Sequence, residues 1–481
     1  MPEAPVRSGF RPELGLGSVT LLIIGSIVGS GIFFLPGGML DQAGSPWPVM
    51  LAWIVGAAVA LTGALMFAEL GAAFPHGGGQ YGFIRDGAGR LPGFLFSWTA
   101  FTAVQSGTIA AVAVAMANAL DVLVGLPGSS PCLGGVDADG ACSGLELPPW
   151  GVGFVAVGVI ALLTVVNYFG VRRGALVNNL ATAGKLVALL GIVGIALAAG
   201  EPAGNFGDAG GQFRAMTLGG FALAVSSSLF AYDGFVQATF IAHEVKEPRR
   251  TLPRAILFST LAVAAIYLLA TFAYFHVLPA GEVSPEAIAG DEPIASEAVG
   301  KVLGATAAGL VALAIVVSTF GTTNAYVLAS PRIYHDVAKD GEFPAAFGRL
   351  SRHRTPTYGL WYGAIWSGLL ALSGGFLALA NLTVFGLYAF YLVTVVAYFR
   401  LRRRDPAAFQ SFRAPLRPAP AAFFGLAAVA VLVSYAAHDL PRLGELSSPA
   451  GLIGNTTVFG ALLILSGLAV YAVQERRRRS A

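Results

Sequence analysis

The chain has 481 residues, 56% of them hydrophobic and only 11% charged, with a mean hydropathy of +0.71. Soluble globular domains carry roughly a quarter charged residues, so this composition excludes an ordinary soluble enzyme and defines an integral membrane protein. The net charge of +3 is too small to imply a nucleic-acid partner, and what matters is where the charges fall.

Crossing the hydrocarbon layer takes about 20 mostly apolar residues per helix, because no water is there to satisfy backbone N–H and C=O groups. Stretches of that kind recur at 17–39, 47–69, 91–125, 150–168, 175–199, 216–243, 254–277, 301–329, 357–375, 378–400, 419–437 and 452–474, which predicts twelve helices. The polar leader Met1 to Glu13 shows no small-residue cleavage site, so it reads as a retained tail rather than a removable signal.

The first stretch is interrupted. Gly25, Gly29 and Gly31 fall close together, with Ser26 and Ser30 between them and Pro36 shortly after. Polar residues in the third stretch, Gln105 and Ser106, are candidates for a pocket wall, although most such residues simply bond neighbouring helices. The only two cysteines, Cys132 and Cys142, lie in the Gly-rich loop after the third stretch. A disulfide between them would stabilise that loop by about 3 kcal/mol, and two exposed thiols are the alternative.

Lys185 sits about ten residues into the fifth stretch, near mid-membrane depth at 1.5 Å per residue. A buried ammonium costs several kcal/mol unless paired or neutralised, which marks it as a functional candidate; snorkelling to an interface is the bland alternative. The sixth stretch breaks at Phe230-Ala231-Tyr232-Asp233-Gly234-Phe235. Asp233 is read either as a partner for a substrate cation or, preferably, as the cap of a half-helix starting at Gly234. Ser318 and Thr319 in the eighth stretch, and Tyr388 and Tyr391 in the tenth, complete the polar set.

Paired interruptions in the first and sixth stretches point to a transporter whose binding site lies between two inverted halves. Unwinding at Ser30-Gly31 frees N–H groups and the positive end of a half-helix, which suit a carboxylate. Carbonyls freed near Phe230 to Tyr232 suit an ammonium, so the two breaks together fit a zwitterion. Glycines that merely permit close helix packing are the structural alternative.

Charge placement sets the orientation. With the N-terminus inside, all but four of the 29 Lys and Arg residues fall in inner segments; the exceptions are Arg214, Lys301 and Arg442 outside and Lys185 in the interior. Such a bias puts both termini in the cytoplasm.

At Gly25 to Gly37 (GSIVGSGIFFLPG), Glu69 to Tyr81 (ELGAAFPHGGGQY), Asn167 to Arg172 (NYFGVR), Leu229 to Ile256 and Ser318 to Pro344, the chain resembles the amino acid-polyamine-organocation superfamily, particularly bacterial relatives of the L-type amino acid transporters. The resemblance implies an all-α polytopic membrane protein with two inverted five-helix repeats, over 17–200 and 201–405. Two further helices follow over 406–475, between a tail at 1–16 and a basic end at 476–481. It implies substrate contact by Ile27, Gly29, Ser30 and Gly31 and by Phe230, Ala231, Tyr232, Asp233, Gly234 and Phe235. Phe230 would close over the substrate, and relatives often carry tryptophan at the Phe235 position. Sodium-independent members place a lysine where sodium-coupled relatives bind a cation between spans one and eight. Lys185 is therefore expected to bridge the carbonyls at the first break, near Gly25, to Ser318, with Thr319 beside it.

The resulting expectation is a secondary active carrier of neutral L-amino acids in the cell membrane, working by alternating access without sodium, as an exchanger or coupled to protons. A cationic amino acid or polyamine carrier is the alternative. The six histidines fall at span ends or in loops with no paired-acid motif inside a span, so a membrane enzyme fits poorly, as does a channel. No cofactor, metal, nucleic acid or obligatory protein partner is expected; the partners are the amino acid, the lipid bilayer and protons.

Overall fold

The structure, a computed structural model, describes residues 9–75, 78–126, 132–133, 145–146, 150–289, 292–373, 376–439 and 455–479. Cys142 lies outside these, and with it the expected Cys132–Cys142 pairing.

In chain order the helices are α1 (Leu16–Ile27), α2 (Gly31–Ala43), α3 (Pro46–Ala73), α4 (Gly79–Ala88), α5 (Arg90–Thr99), α6 (Gln105–Val124), α7 (Trp150–Tyr168), α8 (Val171–Ala199), α9 (Ala209–Ala215) and α10 (Leu218–Ala231). They continue with α11 (Gln237–Phe240), α12 (Pro248–Val277), α13 (Pro285–Ala289), α14 (Ile294–Leu303), α15 (Ala307–Lys339), α16 (Thr357–Ser373), α17 (Phe376–Arg404), α18 (Ala419–Asp439) and α19 (Thr456–Arg479). A π-helical turn, Ala100–Val104, joins α5 to α6. Among the described residues the strand-type pairings are a two-residue antiparallel pair, β1 (Cys132–Leu133) with β2 (Leu145–Glu146), and an isolated parallel bridge between Leu14 and Val245.

Nine of the described helices are long and apolar enough to cross a membrane, and eleven candidates result if two bent pairs are added. The twelve expected from hydropathy are not reached on this count; in the stretch at 357–375 the described residues form α16, Thr357–Ser373, which is not among the candidates. One bent pair is α1 with α2, at 41°. The other is α9 with α10, at 102°, too sharp for one crossing. The 14 residues of α10 rise about 21 Å, short of the ~30 Å core. The chain carries on through the irregular segment 232–236 into α11.

The surface is apolar and the polar residues lie inside, the reverse of a soluble protein. On α8, Leu176, Leu180, Val187 and Leu190 are exposed, whereas Asn178, Thr182 and Lys185 on the opposite face are buried. That face of α8 packs on α1 and α15, and α1 also meets α12, while α10 packs on α2 and α3. The broken helices are thereby enclosed at the centre, and α19 runs along the periphery with the smallest buried share of the nine spans.

Candidate functional site

Both breaks form where the sequence places them. Helix α1 ends at Ile27 and α2 begins at Gly31, with Val28 extended between them (ψ 94°). No side chain caps α2, and the first amides of a helix have no intrahelical acceptor. In the sixth span α10 ends at Ala231 and the chain unwinds over Tyr232 to Val236. Gly234 has φ +124°, and a Cβ there would stand 2.9 Å from the Ser26 carbonyl carbon. Only glycine lets the unwound segment after α10 come this close to the last turn of α1. The Tyr267 hydroxyl, from α12, lies 3.0 Å from the Ile27 carbonyl oxygen and 3.3 Å from that of Ala231, so it ties the ends of both half-helices together.

Between the breaks lies a cleft. Its wall contains Ile27, Gly29, Ser30 and Gly31 from one break and Phe230, Ala231 and Asp233 from the other, seven of the ten residues expected to touch substrate. The other three stand behind the wall. Tyr232 packs edge-on against Trp53, and its hydroxyl donates to the Trp53 carbonyl at 3.3 Å. Gly234 is at the backbone contact just described. Phe235 stacks on Tyr391 with centroids 6.0 Å apart and meets Phe67 edge-on, so it buttresses the pocket rather than sizing it.

Asp233 does not cap a half-helix starting at Gly234, because α11 starts after Val236 and carries no side-chain cap. Its carboxylate instead accepts the Tyr391 hydroxyl at 2.5 Å and the Tyr326 hydroxyl at 3.3 Å. Tyr326 lines the cleft, as do Thr108, Thr322, Thr383 and Leu387, none of which sequence reasoning singled out. Tyr391 and its neighbour Tyr388 do not line it. Gln105 also sits off the cleft, where its side-chain oxygen accepts from Ser330 at 2.9 Å and from Gln237 at 3.4 Å. Ser106 lines a separate, smaller space with Thr164 and Tyr334.

Lys185 is 1% exposed. Its ammonium donates to the carbonyl oxygens of Gly25 at 2.9 Å and Val28 at 2.5 Å and to the Thr322 hydroxyl at 3.0 Å. An ammonium has three donors, and all three are taken by neutral oxygens. Gly321 makes the room, since a Cβ there would lie 3.1 Å from Lys185 Cε. Lys185 therefore meets the first break as expected, but its hydroxyl partner is Thr322 and not Ser318. Ser318 approaches the same region from its own side, with its hydroxyl 3.1 Å from the Val28 carbonyl oxygen and 3.0 Å from that of Gly29. Thr319 turns back onto its own helix, donating to Ile315 at 2.6 Å. The periodicity explains this: residues four apart share a helix face and adjacent ones do not, so Ser318 pairs with Thr322. That spacing was the signal available in the sequence.

A cleft at the meeting of two unwound helices, with a cation held in the membrane interior beside it, defines a membrane carrier for a small polar solute. A family model described as amino acid permease matches residues 14–464, and the chain belongs to that family; it is an amino acid transporter. It is 30% identical to the serine/threonine exchanger SteT of Bacillus subtilis (strain 168) over 463 residues, 94% of this chain and 97% of that protein. It is 32% identical to large neutral amino acids transporter small subunit 2 of Mus musculus over 423 residues, 84% of this chain and 74% of that one. The human b(0,+)-type amino acid transporter 1 is 28% identical over 407 residues, 83% and 78% of the two chains.

Proposed function

We propose that this chain exchanges neutral L-amino acids across the cell membrane by alternating access and without sodium. The observation that carries the reading is the facing of the two breaks across one cleft: the start of α2 at Gly29 to Gly31 opposite the end of α10 at Phe230 and Ala231. The substrate carboxylate sits on the free amides at the positive end of α2. Its ammonium sits at the carbonyl end of α10, and Phe230 closes over it. Of the carbonyls there, that of Ala231 belongs to a residue of the cleft wall, and it is shared with the Tyr267 hydroxyl at 3.3 Å. Lys185, with Gly25, Thr322 and Ser318, supplies a fixed positive charge in place of a sodium ion. Exchange is preferred over proton symport in keeping with the exchanger named among the relatives.

A neutral substrate is favoured because the Asp233 carboxylate is engaged by two tyrosines. Its place on the cleft wall favours, as a second reading, a cationic amino acid. The proposal includes twelve spans, inverted repeats over 17–200 and 201–405, cytoplasmic termini, and function without an obligatory protein partner.

In proteoliposomes, a labelled neutral amino acid should accumulate only when the vesicles are preloaded with unlabelled amino acid, equally in sodium and choline buffers. Uptake that needs sodium, or that ignores the internal load, overturns the proposal. Competition by excess arginine as strong as that by serine selects the second reading.

A further inference from the structure

Beyond the sixth-span break the chain carries Lys246, Arg249, Arg250 and Arg254, all exposed. The charge bias of membrane proteins accounts for their number but not for their arrangement. Lys246, Arg250 and Arg254, with Glu247 and Thr251, line one cleft together with Gly15 and Leu16 at the start of α1.

The chain on either side of this cleft is tied together through its backbone. The amides of Glu13 and Leu14 donate to the Glu244 carbonyl at 2.8 and 2.9 Å, and the Lys246 amide donates to the Leu14 carbonyl at 2.8 Å. Thr251 fixes the same segment by donating to the Lys246 carbonyl at 2.7 Å. Three cations face one carboxylate, and the ion pair between Arg250 and Glu247, at 3.7 Å with both partners largely exposed, is weak in water.

Directly beneath the cations the surface turns apolar. Phe258, 66% exposed, and Leu261, 54% exposed, follow Arg254 on one stripe of α12. At 1.5 Å per residue they lie about 6 and 10 Å deeper, the level of the first carbons of an acyl chain.

We propose that this cleft binds the headgroup of an anionic phospholipid. Lys246, Arg250 and Arg254 take the phosphate, and an acyl chain lies along Phe258 and Leu261. Arginine and lysine are the usual donors to phosphate oxygens, and clustered cations at the inner face of a membrane favour anionic lipid. The apolar stripe assigns the phosphate to a lipid rather than to a soluble ion. The placement in the inner leaflet rests on the orientation proposed above, but binding itself depends neither on that nor on transport. Because Gly15 and Leu16 open the first span, whose break lines the substrate cleft, a bound headgroup holds the start of α1 to α12.

The test is thermal unfolding of the full chain in neutral detergent with added phosphatidylglycerol, phosphatidylcholine or inorganic phosphate. Phosphatidylglycerol should raise the midpoint by several degrees, and the other two should leave it within about one degree, since only a ligand of the folded state raises stability. Arg250→Gln combined with Arg254→Gln should abolish the rise, while Arg400→Gln combined with Arg403→Gln, at another basic run, should keep it. An equal rise with phosphatidylcholine, or a rise retained by the Arg250/Arg254 variant, overturns the site. An equal rise with inorganic phosphate overturns the lipid as ligand. If the double variant does not fold, Lys246→Gln replaces it: loss of at least half of the rise supports the site, and a full rise overturns it.

Discussion

Lys185 donates to the Val28 carbonyl oxygen at 2.5 Å, closing the open end of α1 with a cation brought from the fifth span. Ser318 and Thr322 from α15 converge on the same oxygen at 3.1 and 3.0 Å. Three elements distant in sequence are joined at one unwound carbonyl.

Replacing Lys185 by Met should keep the volume and remove the charge and all three bonds. Charge-assisted hydrogen bonds are worth about 1.5–3 kcal/mol, so exchange in proteoliposomes should fall roughly ten- to a hundredfold. Unchanged exchange would remove Lys185 from the mechanism.

Thr322→Val and Thr319→Val form a matched pair. The first takes a partner from the Lys185 ammonium and should cost about 1–3 kcal/mol of stability, with a marked loss of exchange. The second removes only a bond within α15 and should change the unfolding midpoint and exchange little. Equal effects would contradict the assignment of Thr322.

At Gly321, alanine would bring a methyl group 3.1 Å from Lys185 Cε and 3.0 Å from the Ala181 Cβ. Overpacking of this kind costs about 1–3 kcal/mol, and exchange should fall with it because the ammonium is pushed off its acceptors. Gly234→Ala combines a close contact with a strained φ and should be the more damaging of the two, read out as loss of folded protein on size-exclusion chromatography.

Outside the spans, Glu342 accepts from Arg90 at 3.0 Å. Burial raises the Glu342 carboxyl above its ordinary range, and Arg90 pulls it back down. A carboxyl whose folded value lies above its unfolded one contributes most at acid pH and loses that contribution as pH rises through the folded value. Arg90→Gln removes the opposing charge, so the folded value climbs further. The variant should be destabilised by up to about 1 kcal/mol at pH 7, with the deficit shrinking as pH is lowered towards the ordinary carboxylate range. A deficit that stays constant with pH would show that the pair is not electrostatic.

How much could be read in advance differs by residue. The breaks at Gly29 to Gly31 and Phe230 to Gly234 were legible because glycine, serine and aspartate weaken a helix wherever they cluster. Lys185 was legible because a cation at mid-membrane depth is costly unless it is paired, and about ten residues into a span it lies too deep for snorkelling to be the easier explanation. Tyr326, Thr383 and Thr108 were not, since polar residues are scattered along most spans and only the rotation of each helix decides which face the cleft. Gln105, Tyr388 and Tyr391 do not line the cleft for the same reason, and the capping role expected of Asp233 failed because the chain stays unwound to Val236, so no helix starts at Gly234 for it to cap.

By itself the sequence determined that this is a membrane protein, where its helices break, and that one cation lies among them, because apolar length, helix-weakening residues and buried charge are local properties with large energies. Tertiary structure alone decided that Lys185 ends on Val28, Gly25 and Thr322, that Gly234 meets Ser26 and Ile27, and that Tyr267 joins the two half-helices. Those contacts depend on how five separate helices are rotated and set in depth against one another, and no single stretch of chain carries that information.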